Sequence, residues 1–272
     1  MREQTIRPIP VDGGVLPVNI TAGQGITAIL LHYWGGSHRT FTPVIERLSP
    51  EIGTVTFDHR GWGASRQLPG PYDLTQLAED VLRVIAELEL SDYILVGHSM
   101  GGKVAQLVAA RRPAGLAGAV LIAPGPPRPA SVTPEAQQAL SRAYDSAQTV
   151  TAAIDYALTH RPLTETQRAQ VISDSLAATP AARLAWPLHG IAADISTEAA
   201  QIDVPVTVLA GEYDGVEPPA TLATHLLPLI PQATMRVVRD TGHLLPLEAP
   251  DAIASAITEF ARRQTDRRLP TG

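Results

Sequence analysis

The chain opens on short apolar runs and then changes period. Val15 to Ile20, Ile26 to Tyr33 and Gly53 to Phe57 are set apart by Gly13-Gly14 and Gly23-Gln24-Gly25, the pattern of strands separated by turns. From Leu74 the apolar positions recur at three and four residues, through Leu77, Ala78, Val81, Leu82, Ile85 and Leu88. That spacing predicts an amphipathic helix with Asp73 as its N-cap. Tyr93 to Val96 then reads as a buried strand, Met100 to Arg112 as a helix and Ala119 to Ala123 as a further strand. Such alternation predicts an α/β fold, with a mostly parallel central sheet flanked by helices.

The rhythm breaks after Ala123. Pro124-Gly125-Pro126-Pro127-Arg128-Pro129 continues neither strand nor helix, and no strand pattern returns before about Ala200. Thr133-Pro134 reads as an N-cap followed by proline in the first turn, and Thr164-x-x-Gln167 as a capping box, so several short helices are expected here. Strands resume at Val204 to Ala210 and Ala233 to Val238, each followed by a helix, Pro219 to Leu227 and Pro246 to Arg262. The expected organisation is a core domain over 1–124 and 201–272, interrupted by a helical cap insertion over 125–200. The closing pairs Arg262-Arg263 and Arg267-Arg268 are expected to form a solvated tail.

Composition narrows the chemistry. The 272 residues contain no cysteine, which removes disulfides, thiolate metal sites and a cysteine nucleophile. A net charge of −6 and an aromatic content of 4% argue against a nucleic-acid partner. The one lysine, Lys103, against twenty arginines is a coding bias of GC-rich genomes and bears on no function. Met1 to Pro8 is followed by no apolar run, and no stretch reaches the roughly 20 apolar residues of a spanning helix, so a cytoplasmic protein without a membrane span is expected. Asn19-Ile20-Thr21 therefore reads as a chance sequon.

One motif carries the chemistry. Gly97-His98-Ser99-Met100-Gly101 follows a strand and opens a helix, the setting that G-x-S-x-G requires. A serine exposed at a strand's end needs a tight, strained turn, and the residues two before and two after it then approach too closely for any but small side chains. A cap serine would not need glycine on both sides. A serine hydroxyl needs a base, and the base an orienting acid, which in this motif class follow in the order Ser, Asp or Glu, His. His243 lies late, between the last strand and the last helix, and Asp214 ends the strand Val204 to Ala210. Glu212, Glu217 and Asp240 are the rival acids. Two backbone N–H groups should receive the developing oxyanion, one from Met100 and one from Trp34 in the turn Tyr33 to Ser37.

Other matches are structural. Gly23-Gln24-Gly25-Ile26-Thr27-Ala28 fits a dinucleotide fingerprint but precedes a strand instead of opening a helix. Asp58 to Ser65 is Gly-rich without the lysine of a phosphate loop, and its Asp58 and Arg60 are expected to satisfy buried backbone. His32, His38, His59 and His98 have no metal-ligand spacing, so no metal and no cofactor are expected.

Leu30-Leu31-His32, Asp58-x-Arg60-Gly61-x-Gly63-x-Ser65, the elbow at Ser99, Gly211-Glu212-x-Asp214 and Gly242-His243 together resemble the α/β-hydrolase superfamily, and in particular its small capped serine hydrolases. The resemblance covers the chain outside about 125 to 200. It implies the α/β-hydrolase fold, Ser99 as nucleophile, His243 as base, Asp214 as its partner, oxyanion donors at Trp34 and Met100, and a cap over the pocket. Relatives with an aspartate nucleophile are disfavoured by Ser99. The chain departs from the family at Tyr33, where members commonly carry glycine; the ring must either narrow the acyl pocket or shift the N–H of Trp34.

The expected function is a carboxylic ester hydrolase acting on a small to medium, moderately apolar ester through an acyl-enzyme on Ser99. A lactonase, a C–C bond hydrolase and a cofactor-free perhydrolase or haloperoxidase-like enzyme would use the same residues, and a ligand-binding receptor with a hydrolase pocket is the non-enzymatic alternative. Tyr33, Trp186, Val216 and Leu244 are the expected substrate-lining residues, the partner is a small molecule, and the default assembly is a monomer or homodimer.

Overall fold

The computed structural model describes residues 4–130 and 132–268. Met1-Arg2-Glu3 and the side chains of Arg267 and Arg268 lie outside the described residues. The strands are β1 (Gln4–Val11), β2 (Gly14–Thr21), β3 (Thr27–Leu31), β4 (Gly53–Phe57), β5 (Tyr93–His98), β6 (Leu116–Ile122), β7 (Val206–Gly211) and β8 (Ala233–Val238). They form one sheet in the order β1-β2-β4-β3-β5-β6-β7-β8. β1, β2 and β4 pair antiparallel, and every pairing from β4 to β8 is parallel. This is the mostly parallel sheet expected from the alternation, in the α/β-hydrolase arrangement that the resemblance implies.

The central strands β4, β5, β6 and β7 are buried along their whole length. Helices cover both faces of the parallel part of the sheet, so Ile94-Leu95-Val96 and Ala119-Val120-Leu121-Ile122 read as continuous apolar runs, while β4 and β7 bury Thr54, Thr56 and Thr207 among their apolar residues. Two hydrophobic clusters result. One holds Ile29, Leu95 and Leu121 against the helices Leu74–Glu87 and Met100–Ala110; the other holds Ile94, Val96 and Val120 against Phe41 and the last helix. The Asp73 carboxylate caps the first of those helices, accepting from the Gln76 N–H at 2.9 Å.

β1 escaped the periodicity because Pro8 and Pro10 interrupt it. Proline cannot donate to a ladder and is confined to sheet edges, and β1 is an edge strand. The C-terminal helix also differs from expectation. A single turn at Leu245–Glu248 is followed by a separate helix, Pro250–Arg268. Steric clash with the proline ring drives the preceding Ala249 off helical geometry, to φ −140° and ψ 54°. Arg262 and Arg263 are thus helical rather than a loose tail, because Ile253, Ile257, Phe260 and Ala261 anchor one face in the core and Arg263 pairs with Glu259 one turn back.

Between β6 and β7 the chain is helical, with Pro134–Ser141, Ala147–Ala153, Glu165–Ser175 and Pro180–Ala185 as the main pieces. Thr133 caps the first through the Ala136 N–H, and Thr164 with Gln167 forms the expected reciprocal box. The Asp58 to Ser65 turn is structural. The Asp58 carboxylate accepts from the N–H groups of His38 and Ala64, while the buried Arg60 grips both oxygens of Asp80 at 2.6 Å and donates to the carbonyls of Pro69 and Asp12. No helix among the described residues is long and apolar enough to cross a membrane.

Candidate active site

Ser99 follows β5 directly and occupies φ 53°, ψ −115°, a conformation that L residues rarely adopt. It is held there by packing and hydrogen bonds. Its N–H donates to the Ile122 carbonyl at 2.9 Å, and its own carbonyl accepts from the Lys103 and Gly125 N–H groups. A Cβ on Gly97 would collide with the Gly101 carbonyl, and one on Gly101 with the carbonyls of Leu31 and His32. The crowding predicted for the elbow is therefore real on both sides, and larger residues are excluded by backbone, which cannot give way.

Asp214 lies in the loop after β7 and His243 in the loop after β8, so three strand ends meet at the carboxyl edge of the sheet, where open α/β sheets place their sites. His243 Nε2 is 2.9 Å from Ser99 Oγ, and His243 Nδ1 is 2.8 Å from Asp214 Oδ2. A carboxylate only accepts, so Nδ1 carries the proton and Nε2 is free to accept from the serine. The other oxygen, Asp214 Oδ1, accepts from the Val216 and Glu217 N–H groups at 2.8 and 2.9 Å. Burial pushes the Asp214 carboxyl up, but the facing His243, its hydrogen bond and those two N–H groups outweigh it and hold the group below the ordinary value. Burial pulls His243 down, yet Asp214, helped by Glu217 and Glu248, offsets that and leaves its pKa raised.

The rival acids stand elsewhere or unpaired. Asp240 is exposed and bonded to Arg161 and His160, and the Glu212 carboxylate accepts from the Asp240 N–H. Glu217 is buried but makes no side-chain contact with His243 at hydrogen-bonding distance among the described residues. The pairing of His243 with Asp214 is the one that geometry permits.

Trp34 follows β3, and Met100 begins the helix behind Ser99. Among the described residues neither N–H enters the turn and loop hydrogen bonds. The Met100 N–H also sits at a helix N-terminus, which favours negative charge. The Tyr33 ring is buried under Gly36 and lies 5.0 Å from the His98 ring, on the wall of the cavity beside Ser99.

The cavity measures about 130 Å³ and reaches Ser99 and His243. Of the residues named from the sequence as substrate-lining, Tyr33, Trp186 and Val216 lie on its wall. Leu244 does not: it is wholly buried in the core, its N–H donating to the Leu158 carbonyl. Its neighbour His243 turns toward the site, and the next side chain along the turn points away from it.

The inserted helices are tied to the loop that carries Trp34. The indole of Trp34 stacks on Tyr144 at 4.1 Å and its Nε1 donates to the Arg183 carbonyl; the Tyr144 hydroxyl donates back to the Trp34 carbonyl. Ser175 donates to the Gly35 carbonyl, and Asp174 accepts from Ser37 and pairs with Arg39. Two further residues fix His243. His98 Nε2 donates to its carbonyl at 2.8 Å, and the Glu248 carboxylate accepts from the N–H groups of Gly242, His160 and Arg161. Tyr144, Asp174, Ser175 and Glu248 have no local sequence signal, because their partners lie 80 or more positions away or, for Glu248, also within a turn that only the fold closes. Among the described residues no group of three or more His, Asp or Glu is arranged to hold a metal.

The arrangement can activate a serine hydroxyl for attack on a carbonyl. Solved structures with the same architecture include an esterase from Thermogutta terrifontis, with TM-score 0.79 and 25% identity over 96% of this chain and 99% of that one. An esterase from Exiguobacterium antarcticum superposes with TM-score 0.84 at 20% identity, covering 94% of this chain and 98% of that one, a likeness of fold. In sequence, 107 residues are 37% identical to the pimeloyl-[acyl-carrier protein] methyl ester esterase of Pseudoalteromonas atlantica, covering 39% of this chain and 40% of that relative. A 2-(acetamidomethylene)succinate hydrolase of Mesorhizobium japonicum is 32% identical over 104 residues, 38% of this chain and 37% of the relative. These matches span about two fifths of the relatives' length. A family model described as the alpha/beta hydrolase family matches residues 28–256, and the chain belongs to that family.

Proposed function

We propose that the protein is a serine hydrolase of carboxylic esters, with Ser99, His243 and Asp214 as its catalytic residues. The observation that carries this reading is the unbroken relay from Ser99 Oγ to His243 Nε2 at 2.9 Å and from His243 Nδ1 to Asp214 Oδ2 at 2.8 Å. Ser99 Oγ attacks the ester carbonyl carbon as its proton passes to His243 Nε2. The negative charge that forms on the carbonyl oxygen is received by the N–H groups of Trp34 and Met100. The tetrahedral intermediate collapses, the C–O bond to the alcohol breaks, and His243 returns its proton to the leaving oxygen. Water then repeats the sequence on the acyl-enzyme, releasing the acid and restoring Ser99.

Asp214 holds the imidazole tautomer and stabilises the imidazolium that forms during each transfer. Its two backbone N–H bonds keep it ionised for that task. The inserted helices act as a cap: the Trp34–Tyr144 stack couples them to the proposed oxyanion loop, and a cavity of about 130 Å³ walled by aromatic side chains favours compact substituents. Names of relatives that include esterases support the ester reading. The test is hydrolysis of a short-chain chromogenic ester by the purified protein and by Ser99→Ala. Turnover by the wild type that falls at least a thousandfold in the variant supports the reading, and equal turnover by both overturns it.

A further inference from the structure

Glu217 is a carboxyl that neither the relay nor the fold uses. It lines the cavity beside Ser99 and His243, is only 6% exposed, and its side chain makes no hydrogen bond or ion pair with any described residue. Its backbone N–H braces Asp214, so its position is fixed by the same loop. The other walls are apolar or aromatic, among them Trp34, Tyr144, Leu158 and Trp186. Its carboxyl opens onto the cavity, so a molecule that fills the cavity without a hydrogen-bonding group strips that carboxyl of hydration with no return.

The charges around it decide which form it takes. Burial pushes its pKa up to about 8; His243 and Lys103 oppose that shift and Asp214 adds to it. Lys103, buried on the helix behind Ser99, makes no ion pair with it and donates from Nζ to the Ala193 carbonyl at 2.6 Å. At neutral pH Glu217 is thus an acid that can donate through its O–H and accept through its carbonyl oxygen.

We propose that Glu217 is a specificity residue that selects short esters carrying a second neutral oxygen, a hydroxyl or a carbonyl, near the scissile bond. This rests on the esterase reading above. Such an oxygen gives Glu217 the partner it lacks, whereas a plain alkyl chain leaves it dry and unpaired. Among the described residues no arginine or lysine lines the cavity, so a carboxylate on the substrate would be desolvated there without a pairing cation, and anionic esters are rejected.

The test compares ethyl butyrate with ethyl 2-hydroxybutyrate, ethyl 3-hydroxybutyrate, ethyl 3-oxobutyrate and monoethyl succinate, and adds 2-hydroxyethyl butyrate to place the oxygen on the alcohol side. Each kcat/KM is expressed relative to ethyl butyrate for the wild type, Glu217→Leu and Glu217→Gln, which cancels intrinsic reactivity. At least one neutral oxygenated ester is expected to score about tenfold higher in the wild type than in Glu217→Leu, with most of the preference kept by Glu217→Gln, and monoethyl succinate to score lowest. Circular dichroism checks that Glu217→Leu folds, and Glu217→Val replaces it if it does not. Identical relative rates in wild type and variants overturn the assignment of Glu217 while leaving the esterase reading intact. If no ester is turned over and a fluorophosphonate leaves Ser99 unlabelled, both fall.

Discussion

The carbonyl of His243 accepts a hydrogen bond of 2.8 Å from Nε2 of His98, the residue immediately before Ser99. The elbow and the loop bearing the proposed base are thus tied by a bond that does not pass through the reacting atoms. Burial holds His98 at about 3, so it stays neutral throughout the working range, with Nε2 as the donor. Replacing His98 with alanine leaves that buried carbonyl unpaired and opens a cavity against the His243 ring, 5.3 Å away. The expected result is a destabilisation of about 1–3 kcal/mol in denaturant melts together with a loss of kcat of about tenfold or more and a much smaller change in KM. A His98→Ala variant with unchanged kcat would show that the bond does not position His243.

The pH dependence has two parts of opposite sign. In the proposed relay His243 must be neutral to accept the Ser99 proton, and its pKa is raised above 6.5 chiefly by Asp214, with Glu217 and Glu248, against the effect of burial. The acid limb of kcat/KM should therefore have its midpoint above 6.5, and Asp214→Asn should lower that midpoint as well as kcat. Stability runs the other way. A raised histidine pKa contributes stability that is fully present below the unfolded value and is lost as pH rises through the folded value. Asp214, held below its ordinary value, contributes stability above about pH 4 that is lost as pH falls through its folded pKa. Rate profiles and urea melts between pH 4 and 9 check both, and an acid limb centred below 6.5 would contradict the charge arrangement.

Glu248 should matter to the site without touching substrate. Its carboxylate collects N–H groups from the turn at Gly242 and from His160 and Arg161 at the end of an inserted helical turn, joining the His243 loop to the insertion. Glu248→Ala leaves those donors without their acceptor and is expected to cost about 1.5–3 kcal/mol. Glu248→Gln keeps an acceptor oxygen and should recover part of it. Equal melting temperatures for wild type and Glu248→Ala would show that water replaces the carboxylate at no cost.

Much of this architecture is legible in the chain because it rests on local rules. The Ser99 elbow declares itself through the G-x-S-x-G spacing, in which Gly97 meets the backbone of Gly101 and Gly102, although the carbonyls that crowd Gly101 belong to the distant Leu31 and His32; the Thr133 and Thr164 caps declare themselves through contacts three residues apart. The sheet follows from continuous apolar runs. What stayed hidden depends on distant pairing. β1 looks unlike a strand until its edge position explains Pro8 and Pro10, and nothing near Asp174 or Tyr144 says that they hold Ser37 and Trp34. Leu244 lies in the core and not on the cavity wall because neighbours in a turn face opposite ways. Glu217 read as a rival to Asp214; only its burial on the cavity wall and its lack of a partner give it a separate character.

The central claim is that Ser99 is a nucleophile activated by His243. Intact-mass and peptide analysis after brief treatment with a fluorophosphonate measures it without knowledge of the substrate. The account predicts one adduct per chain, on Ser99, absent in Ser99→Ala and formed far more slowly in His243→Ala. Labelling that is unchanged in Ser99→Ala, or a folded wild-type protein that takes up no adduct, would contradict it.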